Sequence, residues 1–256
     1  MYAGELNKLG IDTRGKFSGQ IKTLCPRCSV TRKHKNEPCL SVNIDTGEYN
    51  CKNCGWKGGV YARVYSVPKP RPIAKNEKIY KWFEDRGIKK EIVEQFKVSE
   101  SIEAFRTESG DPEWENVGCI CYNYYRSGFL VNIKFKTKDK RFKMVKDAQK
   151  IPYNIDSVKD SDYVIIVEGE EECMVWTQVG YTSVISCPNG ASKTNNNLEW
   201  LDVVYDEIKD KKIYIAADND EPGRKLREDL TRRFDADQVY YIQYELKDGN
   251  DTLKIS

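Results

Sequence analysis

Three short apolar runs in the second half of the chain each give way to acidic residues. Tyr163–Val167 runs into Glu168-Gly169-Glu170, and Ile213–Ala217 into Asp218-Asn219-Asp220-Glu221-Pro222-Gly223-Arg224. Val239–Tyr244 is soon followed by Lys247-Asp248-Gly249-Asn250-Asp251. Apolar runs of this length, separated by stretches of helical periodicity, predict strands alternating with helices. That alternation implies a parallel sheet with right-handed crossovers. Ligands of such sheets bind outside the carboxyl ends of the strands. Three strand ends would therefore aim carboxylates at one crevice. Crowded carboxylates repel one another, and a divalent cation relieves that repulsion.

Earlier in the chain the pattern changes. From Asn76, Ile79, Trp82 and Phe83 recur at helical spacing, and Arg86-Gly87-Ile88 ends the helix. Ile92, Val93 and Phe96 mark a second helix. Cys119–Tyr125, a turn at Arg126-Ser127-Gly128 and Phe129–Lys136 predict a β-hairpin. Within its second strand Lys134 and Lys136 alternate with Ile133 and Phe135, so both lysines share one face. That face would suit a polyphosphate, or else it is a solvated charged strand. Nearer the start, Leu40–Ile44, a turn at Asp45-Thr46-Gly47 and Glu48-Tyr49-Asn50 predict a smaller hairpin.

Cysteines bracket that small hairpin. Cys25-Pro26-Arg27-Cys28 and Cys51-Lys52-Asn53-Cys54-Gly55 are two Cys-x-x-Cys knuckles. Two knuckles flanking a hairpin form a zinc ribbon, with one structural Zn²⁺ held by Cys25, Cys28, Cys51 and Cys54. Cys39 enters a strand and reads as a small buried apolar residue. Cys119, Cys121, Cys173 and Cys187 fall in apolar patterns and read as core. The odd count of nine cysteines and the absence of a signal peptide argue against a disulfide framework.

Composition adds a charge distribution to this picture. The 256 residues are 39% hydrophobic, enough for more than one compact core, and the net charge is only +2. No apolar run approaches a membrane span. Between Ile133 and Lys150, however, Lys134, Lys136, Lys138, Lys140, Arg141, Lys143, Lys146 and Lys150 face only Asp139 and Asp147. A basic surface beside a carboxylate pocket suits an enzyme that grips polyphosphate and metal at adjacent places. Pro68-Lys69-Pro70-Arg71-Pro72 is a stiff linker. The expected organisation is a ribbon over 1–67, a linker over 68–75, a basic unit over 76–159 and an acidic parallel-sheet unit over 160–256. The expected fold class is multi-domain α/β: a small all-β zinc ribbon, an α+β basic unit, then a parallel-sheet α/β domain.

The run Val164-Ile165-Ile166-Val167-Glu168-Gly169-Glu170, with Asp218-x-Asp220-x-x-Gly223-Arg224 and Lys247-Asp248, resembles the Toprim domain of DnaG-type primases, topoisomerases and some nucleases. Ser186-Cys187-Pro188-Asn189-Gly190-Ala191-Ser192 resembles the glycine-containing loop between the acidic motifs. Ribbon, basic hairpin unit, then Toprim is the order of DnaG-type primases. The Lys-Asp-x-Asn form of the last motif resembles the phage primase–helicases and their Twinkle-like relatives. No phosphate-loop motif of a helicase is present, so the expectation is a primase portion whose helicase lies downstream or is a separate protein.

The resemblance implies a DNA primase that makes RNA primers from ribonucleoside triphosphates on single-stranded DNA. It implies Mg²⁺ or Mn²⁺, two ions, at Asp218, Asp220 and Asp248, with Glu168 as either ligand or general base. Glu170 and Glu172 would face the pocket or, for Glu172, plain surface. Lys134 and Lys136 would take the triphosphate. Arg141, Lys143 and Lys146 would take template or primer phosphates, with Arg224 and Lys247 as further phosphate contacts. Around the knuckles Arg27, Arg32, His34 and Trp56 would read template bases. His34 is also an alternative zinc ligand, since bacterial DnaG-type primases often use one His. The resemblance implies the cytoplasm of a bacterial or phage-infected cell, or an organelle. A Toprim nuclease and a non-catalytic binding module are the alternative functions. A topoisomerase gate needs a longer chain.

Overall fold

The computed structural model describes residues 2–60, 65–107, 113–194 and 196–243. The first unit is small. Helix α1 (Ala3–Lys8) covers an antiparallel sheet of β1 (Gln20–Thr23), β2 (Leu40–Asn43), β3 (Glu48–Cys51) and β4 (Lys57–Gly59), in that spatial order. The β2–β3 pair is the predicted hairpin, in register from Leu40 opposite Cys51 to Asn43 opposite Glu48. Asn43 Oδ1 accepts from the Asp45 and Thr46 N–H groups, and Gly47 takes φ 74° to close the turn. Strands β1 and β4 carry no apolar alternation to announce them. Leu6, Ile11, Leu40, Val42, Ile44 and Trp56 pack with the four knuckle cysteines as a separate core.

The proline-rich stretch is extended but docked. The Ala74 N–H donates to Val98 O at 3.0 Å, and the Glu100 N–H to Pro72 O at 3.1 Å. Arg71 meets Glu103 at 2.7 Å. The end of the linker thus runs as an edge against the next sheet.

That next unit begins with α2 (Glu77–Glu84), capped by Asn76 Oδ1, and α3 (Lys90–Gln95). An antiparallel sheet follows: β5 (Ser99–Arg106), β6 (Trp114–Arg126), β7 (Phe129–Thr137) and β8 (Phe142–Met144), in order. Strands β6 and β7 contain the predicted hairpin and extend beyond it. Its alternation sorts side chains by face. Phe105, Cys119, Cys121, Ile133 and Phe135 form one small core. Tyr122, Tyr124, Lys134 and Lys136 point the other way, toward the C-terminal unit.

The C-terminal unit is the predicted parallel sheet. Its strands are β9 (Tyr163–Val167), β10 (Val184–Ser186), β11 (Lys212–Ala216) and β12 (Val239–Tyr241), ordered β10-β9-β11-β12. Helices α4 (Glu170–Gln178), α5 (Glu199–Ile208) and α6 (Glu221–Thr231) make the crossovers. The two strands β9 and β10 are buried almost throughout because both faces are covered, whereas the edge strand β12 is largely exposed. Phe83, Ile88, Val93, Phe96, Tyr122 and Tyr124 belong to the same buried cluster as these strands. The helical pair, one face of the antiparallel sheet and the parallel sheet therefore share a core.

The ribbon also touches the C-terminal unit. Arg27, inside the first knuckle, reaches Asp202 of α5 at 2.7 Å. Its guanidinium lies 4.0 Å from the Tyr205 ring centroid and 4.7 Å from that of Trp56. Asp202 also accepts from Arg233, and Lys57 meets Glu199 at 2.9 Å. Burial depresses the Arg27 pKa and raises that of Asp202, so each charge depends on the other for compensation. Among the described residues, no helix is long and apolar enough to cross a membrane.

Candidate active site and metal centre

Two places gather chemistry, and the ribbon is the simpler. The β2–β3 register sets Leu40 opposite Cys51 and brings the second knuckle back against the first. Ligand sulfurs of Cys25, Cys28, Cys51 and Cys54 lie within 4.8 Å of one another, and all four residues are buried. Sulfur–sulfur distances of 3.7 Å for Cys28–Cys51 and 3.8 Å for Cys25–Cys54 suit four thiolates around one tetrahedral ion. Hydrogen bonding to Cys28 pushes the Cys25 thiol up, and hydrogen bonding from Cys25 pulls Cys51 down toward thiolate. Four soft sulfur donors at this spacing fit zinc, which would hold all four as thiolates.

The knuckle neighbours fall differently from the sequence expectation. Cys39 is only partly buried, with its sulfur 3.5 Å from that of Cys51, so it borders the cluster rather than lying in an apolar core. His34 is exposed and faces Glu37 at 3.6 Å, outside the cluster. Trp56 is 2% exposed and packs on Tyr49 at 4.4 Å, a core position that presents no face for stacking. Arg27 is engaged with Asp202. Arg32 bonds the Glu37 carbonyl beside the exposed loop.

The second place is a crevice of about 1250 Å³ between the antiparallel and parallel sheets. Glu168, Glu172 and Asp218 line it from the parallel sheet. Lys134 and Lys136 line it from the antiparallel one. Pro188, Asn189 and Gly190 of the glycine-containing loop close one side. Gly190 holds φ 64° there.

Adjacent strand ends bring the acidic groups together. Parallel pairing puts Ala216 opposite Val167, so Glu168 and the residues after Ala216 leave the sheet side by side. Glu168 Oε1 accepts from the Asp218 N–H at 2.9 Å. Asp220 caps α6, accepting from the Gly223 N–H at 3.0 Å. Gly223 must be glycine for reasons of space: a Cβ there would sit 2.3 Å from Asp218 O and 2.7 Å from Glu168 Oε1. Burial and the nearby Asp218 charge push the Glu168 carboxyl up to about 7.

Glu172 proves to be a buried member of this group rather than a surface residue. It is 7% exposed. Its Oε2 accepts from the Glu168 and Gly169 N–H groups at 3.0 and 3.3 Å, fixing the turn that presents Glu168. Its Oε1 is buried with no hydrogen-bond partner. Burial, with Asp218 and Glu168 nearby, pushes its carboxyl up to about 8. Only the glutamate half of a capping box is present, because the N-cap Gly169 has no side chain, so the spacing Gly169-x-x-Glu172 is a weak sequence signal for this role.

These carboxylates fit a divalent cation by donor chemistry: hard oxygens, crowded, one left unsatisfied in the interior. They do not converge as tightly as the cysteines, which are the one group at metal-ligand spacing among the described residues. Asp248 and Lys247 lie outside the described residues.

The crowding has a consequence for stability. Glu168 and Glu172 bind protons more tightly when folded than at their ordinary carboxyl pKa of 4.5. Their contribution is therefore full below pH 4.5 and is lost as pH rises through about 7 to 8. In magnesium-free buffer the melting temperature should fall between pH 6 and pH 9. Added Mg²⁺ should raise it more at pH 9 than at pH 6, because the cation favours the ionised carboxylates. Equal Mg²⁺ stabilisation at both pH values would contradict this reading.

The lysines are held by acids from α4. Lys134 Nζ lies 2.8 Å from Glu170 Oε1, and Lys136 Nζ 2.7 Å from Glu171 Oε1. The buried hydroxyls of Tyr124 and Tyr122 donate to the same two carboxylates. An ammonium as buried as Lys134 needs such a partner. The partners sit 36 and 35 residues away, beyond any local signal. Lys146 is exposed on the crevice wall. Arg141 and Lys143 turn elsewhere. Arg141 pairs with Glu115 and Asp139, and the Lys143 ammonium meets Glu103 at 3.1 Å. Arg224 is exposed and turns to Asn219 O at 3.5 Å.

Comparison with known proteins agrees with this geometry. Residues 162–242 match the Toprim domain family. Over 98% of its length the chain is 25% identical to a primase homolog protein of Arabidopsis thaliana, spanning 80% of that protein. It is 26% identical to the Twinkle homolog protein, chloroplastic/mitochondrial, of the same plant, spanning 38% of it. Its fold superposes on the primase fragment of the bacteriophage T7 primase-helicase protein. The TM-score is 0.53 at 21% identity, covering 91% of this chain and 94% of that one. Residues 162–242 form a Toprim domain, in a chain that has primase homologues among its relatives and the fold of a primase fragment.

Proposed function

We propose that this chain is a DNA primase that joins ribonucleotides into short RNA primers on a single-stranded DNA template. The supporting observation is the crevice itself. Carboxylates on adjacent strand ends face two lysines across a space large enough for more than one nucleotide. Two Mg²⁺ or Mn²⁺ ions at Glu168, Asp218 and Asp220 would supply neutralisation of phosphate charge and activation of the attacking 3′-hydroxyl.

The chain's own residues do the rest. Asp218 and Asp220 project from the β11–α6 turn, and Gly223 lets the backbone of that turn approach Glu168. Glu172 holds the Glu168 turn rigid through two backbone N–H groups. Glu168, with its carboxyl held up near 7, accepts or holds a proton at its Oε atoms, or ligates. Lys134 and Lys136, each paired with a glutamate of α4, stand on the wall facing those acids and would exchange those partners for the triphosphate of the incoming nucleotide. The ribbon would hold one zinc ion and present Arg32, Lys33 and His34 to the template. Its single-stranded DNA partner, a helicase elsewhere in the protein or separate, and a cytoplasmic or organellar location belong to the same proposal.

The test is incubation with labelled ribonucleotides, Mg²⁺ and a mixed-sequence pool of single-stranded DNA. Template-dependent RNA of a few nucleotides is expected. Complete absence of ribonucleotide incorporation on every template would overturn the reading.

A further inference from the structure

Phe142 stands out on the crevice wall. It is 50% exposed, although it lies in a strand next to a well-packed core. Antiparallel register sets it opposite Lys136, with Lys134 opposite Met144, so its ring shares the face of both lysines. The Lys134 and Lys136 ammoniums lie 5.2 and 5.6 Å from its ring centroid. The charged heads of its sequence neighbours turn away, since the Arg141 guanidinium and the Lys143 ammonium pair with Glu115 and Glu103. The crevice thus offers a half-bare aromatic ring beside two lysines paired with Glu170 and Glu171, with the Glu168 and Asp218 carboxylates across the gap.

That combination matches the parts of a nucleotide. A polyphosphate would compete with Glu170 and Glu171 for the lysines, and Glu168 and Asp218 would hold a divalent cation that offsets its charge. A planar neutral group complements the exposed ring. We infer that Phe142 is the platform on which a nucleobase stacks in this crevice, and that the base belongs to the incoming ribonucleotide. Stacking on an aromatic ring tolerates all four bases, because each has a π-face. A platform of this kind fits an enzyme that must accept every ribonucleotide. The inference rests on the crevice being a nucleotide site, and its test is separable from primer synthesis.

Binding of ATP and of inorganic tripolyphosphate to the full chain would be measured by calorimetry with Mg²⁺. Phe142→Ala and Phe142→Leu should weaken ATP binding about 5- to 150-fold, the range for losing one base–aromatic stack. Tripolyphosphate binding should stay unchanged, since it has no base. Phe142→Trp should restore ATP binding. A second arm compares base-bearing with abasic single-stranded DNA. Loss confined to base-bearing DNA would keep the platform but overturn the assignment to the incoming nucleotide, placing a template base there. Unchanged affinity for both ATP and DNA in Phe142→Ala and Phe142→Leu would overturn the platform. Equal loss of ATP and tripolyphosphate would also overturn it, showing that the ring merely props the lysines. If the unaltered chain binds neither ATP nor tripolyphosphate, the nucleotide site itself fails, and the platform with it.

Discussion

Asp218→Asn is expected to lower primer synthesis by at least about 10²- to 10³-fold, the scale for losing one group that stabilises transition-state charge. Stability should hold or rise. Asp218 contributes to the repulsion that holds both Glu168 and Glu172 above their ordinary pKa. Removing its charge relieves two buried neighbours at once. The side chain is half-buried and lines the crevice, and asparagine keeps its shape, so packing is preserved. The measurement is the rate of dinucleotide formation together with the melting temperature of the same sample. Activity within a few-fold of the parent would contradict the site. Loss of activity with a collapsed melting transition would show a structural role instead.

Cys51→Ser is the second substitution with a large expected effect. The ribbon's core is small, and four of its buried residues are the cysteines themselves. A unit of this size depends on its metal, and structural zinc supplies about 10–16 kcal/mol of apparent binding free energy in comparable peptides. Cys51 lies between two partners, with its sulfur 3.7 Å from Cys28 and 3.5 Å from Cys39. Its loss leaves three ligands. Elemental analysis should fall from one zinc per chain to well below one, and the ribbon should unfold. The parallel sheet should remain, because its buried cluster contains no ribbon residue. Retention of a full equivalent of zinc would assign the fourth ligand to Cys39.

The sequence was most legible where the physics is local. Apolar runs ending in acids located β9 and β11 to within a residue, and the turn residues located both hairpins. Period-two alternation placed Lys134 and Lys136 on one face, with Ile133 and Phe135 buried on the other. Cysteine spacing identified the ribbon. What escaped depends on long-range partners. Arg27 looks like a template contact on an exposed knuckle until Asp202, 175 residues later, is placed beside it. Trp56 follows a glycine in a polar segment, and only the packing of Tyr49 across the sheet makes it core. Strand β5 reads Ser-Glu-Ser-Ile-Glu-Ala-Phe-Arg, whose weak alternation reflects one open face. Phe142 was hidden among cations, because the two faces of β8 become distinct only once its register with β7 is known.

The docked ribbon bears on how these parts cooperate. Arg27 is held between Tyr205 and Trp56 and pairs with Asp202, so in this arrangement it is unavailable to a template. The exposed loop of Lys33 and His34 remains open to solvent. Template contacts would thus fall on the loop side of the ribbon while the knuckle side anchors it to α5.

The central claim is that the crevice builds RNA rather than cutting DNA, since water in place of a 3′-hydroxyl would turn the same carboxylates to hydrolysis. The most direct measurement follows both strands in one reaction, with the single-stranded DNA and the ribonucleotides carrying different labels and Mg²⁺ present. The account predicts short labelled RNA on intact DNA, with both signals flat in Asp218→Asn. Shortened DNA with no labelled RNA, lost in Asp218→Asn, would contradict it and make the protein a nuclease.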